Sequence, residues 1–296
     1  MAKARKILEH AKSIRNIHAV TGSMEKVATV RFKHAHEHVA SARPYIRRLA
    51  ELVGDLVSRC DGAQLDHPLL AEPDAECKTD VLLAITSHRG LCGAYNDGVA
   101  RTAIERAAQL AEAGYEVLVH AVGKRGTRQL RARGLRIDRQ YTDLPHPPAY
   151  PAVAALADEL AGQFLAGQIS GLEVAYMQFV SSGVQKPAVA QILPMSQLAS
   201  PQRFSPTGGE PIPYEILPST GQLLDRLLPQ TLRLKLYQCF TDAAAAEEIM
   251  RMRAMRSASD NAEEMIHKLT VRYNRQRQSQ ITTELAEIMG GREGVK

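Results

Sequence analysis

Fifty-nine consecutive residues, Thr231 to Met289, contain neither glycine nor proline, and apolar or small side chains recur along them at alternating steps of three and four. That pattern predicts one helix of about 90 Å at the α-helical rise. A compact globule of this chain's size has a radius of gyration of roughly 19 Å, so the helix is expected to outreach its own body. The opposite end repeats the signal: Lys3 to Arg59 is broken only by Gly22, Pro44 and Gly54. It predicts a second helix of about 85 Å if Pro44 kinks rather than ends it. Two such helices imply a shaft, suited to bridging or to mechanical work.

Composition favours helices over a large β core, with 5% aromatic residues and no tryptophan among 296 residues. Lys3, Arg5, Lys6 and Lys12 interrupt the N-terminal stretch. No segment approaches the roughly 20 apolar residues of a membrane span, so a soluble or peripheral protein is expected. Cys60, Cys77, Cys92 and Cys239 lie far apart, which fits neither a zinc knuckle nor a secreted disulfide framework and suits a reducing cytoplasm. The net charge of +5 divides unevenly, as +7 over 1–59, −4 over 60–229 and +2 over 230–296. The excess positive charge belongs to the helical ends, so an acidic partner is implied there: nucleic acid, anionic lipid or an acidic protein collar.

In the C-terminal helix Met252, Met255, Ser259, Ala262, Ile266, Leu269, Tyr273, Gln276 and Gln280 form a weak heptad seam in which small and polar residues replace leucines. Ile7, Ile14, Ile17, Thr21, Met24, Ala28, Arg31, Ala35 and Ala42 give the N-terminal helix a comparable stripe. Small seam residues allow close approach of two helices, so the chain's ends are expected to pair as an antiparallel coiled coil. Between them the period changes. Asp80–Thr86, Tyr115–Val122, Gly171–Val180 and Pro187–Leu193 read as strands, and Val99–Ala113, Lys124–Arg133 and Val153–Leu165 as helices. The expected body is a small α/β sheet, parallel at first and closed by an antiparallel hairpin, with loops at 144–151 and 194–218. The domains expected are an N-terminal helix over 1–60, an α/β body over 75–218 and a C-terminal helix over 219–296.

The candidate chemical sites are weak. The loop Ser87–Asn96 follows a strand, but Gly90, Gly93 and Gly98 precede Leu, Ala and Val, and no lysine stands where a phosphate-binding loop requires one. His34 and His38 share a helix face one turn apart without a third ligand nearby in sequence, which reads as a solvated face. Cys92 lacks a recognisable His or Asn partner arrangement and reads as a packed thiol. Lys26, Arg31, Lys33, Arg251, Arg253, Arg256, Arg272, Arg275 and Arg277 are cationic, yet aromatic stacking platforms are scarce, so nucleic-acid binding is not expected. No cofactor, metal or catalytic residue is expected.

Three blocks carry a resemblance. The first is Ser13-Ile-Arg-Asn-Ile17 with Thr21-Gly-Ser-Met24, Val27-Ala28 and Ala42-Arg-Pro-Tyr45. The second is Thr86-Ser-His-Arg-Gly-Leu-Cys-Gly-Ala-Tyr-Asn96. The third comprises Met252-Arg-Ala-Met255, Ser259-Asp-Asn-Ala262, Tyr273-Asn-Arg275 and Ile281-Thr-Thr-Glu-Leu-Ala-Glu-Ile288-Met-Gly-Gly291. The chain resembles, from end to end, the γ subunit of F-type ATP synthases, the central stalk of a rotary motor.

The resemblance implies an antiparallel helical axle with an inserted Rossmann-like α/β domain. It implies a non-catalytic rotor that turns inside an alpha3beta3 hexamer and couples ion flow to ATP synthesis or hydrolysis at beta-subunit sites. The implied partners are the alpha and beta subunits, the epsilon subunit and the membrane c-ring, with peripheral placement on the cytoplasmic face of a bacterial inner membrane. By position, Met24, Lys26 and Arg251 match the part of the axle that meets a beta-subunit lever, and Gln278, Thr282 and Glu284 match a polar catch higher on the axle. His88 stands where the family usually has Asp, and Gly22-Ser23 replaces a more helical Lys-Ala. The 194–218 loop lacks the cysteine pair of a thiol switch. The reading from another class is a coiled-coil adaptor for acidic partners, which would not fix a one-to-three ratio to alpha and beta subunits.

Overall fold

The computed structural model of the protein describes residues 2–59, 67–71, 77–196 and 219–293. Helix α1 spans Ala2–Arg59 and helix α5 spans Thr220–Glu293, with Pro44 and Pro229 inside them. Between them run β1 (Thr79–Ile85), α2 (Tyr95–Glu112), β2 (Glu116–Val122), α3 (Lys124–Ala132), β3 (Arg139–Tyr141), α4 (Tyr150–Leu165), β4 (Gly171–Phe179) and β5 (Gln185–Leu193). The chain divides into two compact units, one of residues 31–250 and one joining 1–30 to 251–296.

In the larger unit the five strands lie in the order β3-β2-β1-β4-β5. β1 is parallel to β2 and to β4, β2 is parallel to β3, and β4 pairs antiparallel with β5. The expected strands and helices are all present among the described residues, to within a few residues at their ends, except that α5 begins eleven residues before the expected Thr231 and runs through Pro229. β3 was not expected; its three residues carry no hydrophobic period from which a strand could be read. Most of the expected 194–218 loop lies outside the described residues.

Strand alternation sorts β1 between two cores. Val81, Leu83 and Ile85 face a large core with Val53, Leu56 and Val57 of α1, Val153, Leu156 and Leu160 of α4, and Leu224, Leu228, Leu232 and Leu236 of α5. Leu82 and Ala84 face the other side, against Ala100, Ala103 and Ala107 of α2 and Leu130 of α3. The alanines let α2 lie close to the sheet. Residues 239–249 of α5 are buried without a break, including Ala243 to Ala246. A helix buried on every side is enclosed by neighbours rather than laid on a surface. The terminal helices run antiparallel here: Arg31 pairs with Glu248 at 4.0 Å, Arg43 with Asp242 at 3.1 Å, and the Tyr45 hydroxyl accepts from Gln230 at 2.8 Å.

Candidate subunit-docking surface

The smaller unit is where all six expected interface residues fall. On α5 each expected seam residue from Met252 to Gln280 is buried or half-buried, so its heptad is the packing face. On α1 the packing face is Ile7, Ala11, Ile14, His18, Thr21, Glu25 and Ala28, a regular alternation of four and three. The Thr21 hydroxyl donates to the Ser259 hydroxyl at 3.3 Å, joining the two seams through small polar groups. Ile17 and Met24, expected in this seam, stand outside it.

Their exclusion exposes a second apolar line. Ile17, Val20, Met24 and Val27 are 51%, 54%, 40% and 52% exposed. Each directly precedes a seam residue and is therefore turned about 100° from it around the helix. Hydrophobicity favours Ile17 and Met24 over His18 and Glu25, which are the residues that pack, while Ile7, Ile14, Thr21 and Ala28 lie in the seam as expected. The sequence holds no separate signal for this line, because the seam neighbours of Ile17, Val20 and Met24 are His18, Thr21 and Glu25, which carry no apolar pattern of their own.

Lys26 is exposed, but two residues from Met24 it points to nearly the opposite side of α1, so the two do not make one face. Arg251 is only 8% exposed and packs within the chain instead of standing on its surface. Gln278 and Thr282 are exposed one turn apart, and the Thr282 hydroxyl donates to the Gln278 carbonyl at 2.9 Å. Glu284 lies in α5, and its side chain falls outside the described part. Leu285 is exposed, while most side chains beyond it are likewise outside.

The loop from Thr86 to Asn96 in the larger unit is built as a tight internal network. The Ser87 amide donates to Asn96 Oδ1 at 3.0 Å, Asn96 Nδ2 donates to Ser87 Oγ at 2.7 Å, and Ser87 Oγ donates to the Arg89 carbonyl at 2.7 Å. Thr86 Oγ1 donates to the Val122 carbonyl, and the Tyr95 hydroxyl to that of Ile85 at 3.2 Å. The Ser87 carbonyl accepts from the Arg125 and Gly126 amides at 3.1 and 3.2 Å, which satisfies the first turn of α3. The motif therefore ties β1, α2 and α3 together. Cys92 is a buried thiol 3.7 Å from Ser87 Oγ. His34 and His38 are exposed, His34 within 3.8 Å of Glu37. No described helix is long and apolar enough to cross a membrane.

Comparison with known proteins agrees along the whole length. The family described as ATP synthase matches residues 3–295. The chain is 37% identical over 298 residues to the ATP synthase gamma chain of Rhodopirellula baltica, covering 100% of both chains. It is 36% identical over 296 residues to that of Anaeromyxobacter dehalogenans, again with 100% of both covered. Among solved structures, it superposes on a chain of the Euglena gracilis mitochondrial ATP synthase OSCP/F1/c-ring assembly with a TM-score of 0.66 at 16% identity, covering 99% of this chain and 95% of that one. A chain of the Tetrahymena thermophila central stalk/c-ring gives a TM-score of 0.56 at 18% identity, covering 81% and 99%.

Proposed function

The chain belongs to the ATP synthase gamma chain family, and from that premise we propose how this rotor subunit meets its partners. As a subunit of the ATP synthase complex it works in the central stalk. In the reading proposed here it holds no catalytic residue and turns inside a ring of three alpha and three beta subunits. Its larger unit joins the epsilon subunit and the c-ring. The complex holds it at the cytoplasmic face of a bacterial inner membrane. The three-part division at 1–60, 75–218 and 219–296 belongs to the same reading.

The observation that supports the ring as partner is the exposed line Ile17, Val20, Met24 and Val27. Burying an aliphatic side chain of this size is worth about 1.5–3 kcal/mol, so a continuous line left in water is a surface awaiting cover. Met24 and Lys26 on different sides of α1 would meet different members of a surrounding ring, whereas Gln278, Thr282 and Glu284 offer polar contacts further along α5. Arg251, being buried, would act by holding the pairing of the helices rather than by touching a beta subunit directly.

A chain whose faces differ in this way supplies asymmetry. Each beta subunit then meets a different surface and is biased towards a different affinity for nucleotide, a population shift that needs only differential contact. The test is co-purification of the tagged full-length chain from membranes with quantitative mass spectrometry. A rotor gives one copy per three alpha and three beta subunits; a variable ratio, or recovery without those subunits, contradicts the reading.

A further inference from the structure

His146, Glu247 and Glu248 bring one imidazole nitrogen and two carboxylate oxygens within 4.8 Å of one another. His146 lies in the segment between β3 and α4, and both glutamates lie on α5, 4% and 2% exposed. His146 Nε2 is 3.3 Å from Glu248 Oε1. That is close to the separation of two donors on one tetrahedral ion with bonds of about 2.0–2.2 Å. Arg31 approaches Glu248 at 4.0 Å, the outer limit of an ion pair, through a side chain that is 43% exposed.

We propose that His146, Glu247 and Glu248 bind one divalent transition-metal ion of the zinc class. A mixed imidazole and carboxylate set selects zinc and its neighbours over magnesium or calcium, which take oxygen donors. The site gathers donors from the segment before α4 and from α5, so a bound ion would staple that segment to the buried helix. It was invisible in the sequence because His146 and Glu248 are 102 residues apart.

The test uses the full-length chain, stripped with a chelator, desalted and titrated with zinc in competition with a chromogenic chelator. Wild type is expected to bind one equivalent. His146→Ala is expected to weaken that binding by about 10-fold or more, as loss of a ligand should cost at least as much as loss of an outer-shell partner. His34→Ala, on the exposed His34/His38 face, should change nothing. Zinc should also raise the melting temperature of wild type but not of His146→Ala; should the alanine variant fail to fold, His146→Gln carries the same comparison. Equal affinity in wild type and His146 variants, no retained equivalent in wild type, or loss through His34→Ala overturns the proposal.

Discussion

Thr21 and Ser259 meet hydroxyl to hydroxyl at 3.3 Å in the smaller unit, at a point where both helices carry small residues. Thr21 Oγ1 also lies 3.1 Å from the carbonyls of Ile17 and His18, so its proton is shared along its own helix as well as across to α5. Beside it, a Cβ added at Gly22 would meet the Ser259 hydroxyl at 3.6 Å, ordinary van der Waals contact. The two helices are held by closeness more than by large apolar knobs.

Two substitutions separate closeness from apolar bulk. Gly22→Ala fits the space and removes the helix penalty of glycine, so it should stabilise the chain by about 0.5–1 kcal/mol. Ser259→Leu forces the helices apart and should destabilise by about 1–3 kcal/mol. Denaturant unfolding of the full chain, followed by circular dichroism, measures both.

The loop after β1 should behave as a structural joint. Asn96→Ala leaves the buried Ser87 amide without its side-chain acceptor and is expected to cost about 1–3 kcal/mol. Gly126→Ala is expected to cost more, because its Cβ would collide with the Thr86 side chain and sit 2.7 Å from Asn96 Oδ1. Melting temperatures of the two variants against wild type give the comparison.

Acid should weaken the larger unit through its buried histidines. His120 is 6% exposed, and burial, then repulsion from Arg139, holds its pKa below 6.5, against the attraction of Asp138 and Glu159. His67 is lowered by burial too, against the attraction of Asp225. With the folded pKa depressed, each contribution is complete above the unfolded value of 6.5 and is lost as pH falls through the folded value. The slope is at most about 1.4 kcal/mol per pH unit for each group. Urea midpoints between pH 7.5 and pH 5 should fall, and His120→Gln should flatten the fall.

Charging the exposed line on α1 should disturb assembly and leave folding intact. Val20→Asp with Met24→Asp changes two surface side chains, for which a stability effect within about 0.5 kcal/mol each is ordinary. Recovery of the complex with alpha and beta subunits should drop several-fold while the melting curve of the free chain stays in place. Unchanged recovery would remove the ring as the cover for this line.

The long helices, the sheet and its closing hairpin were legible because each rests on local periodicity: the α5 seam from Met252 to Gln280 packs as spaced. On α1, Ile7, Ile14, Thr21 and Ala28 pack as spaced, but Ile17 and Met24 are more apolar than His18 and Glu25, which pack in their place, and hydrophobicity cannot tell which of two adjacent faces the chain covers with itself. β3 escaped because Arg139-Gln140-Tyr141 has no period, and its pairing with β2 is decided by tertiary context. The burial of Arg251 and the cluster around His146 depend on residues distant in sequence. They could be found only by assembling the fold.

The most direct test is rotation. A bead tethered through Arg101→Cys, an exposed position on α2 of the larger unit, is observed on surface-held complexes supplied with ATP. The bead should turn in one direction with three dwells per revolution, one for each beta subunit. ATP hydrolysis at full rate with the bead stationary or moving randomly would contradict the account.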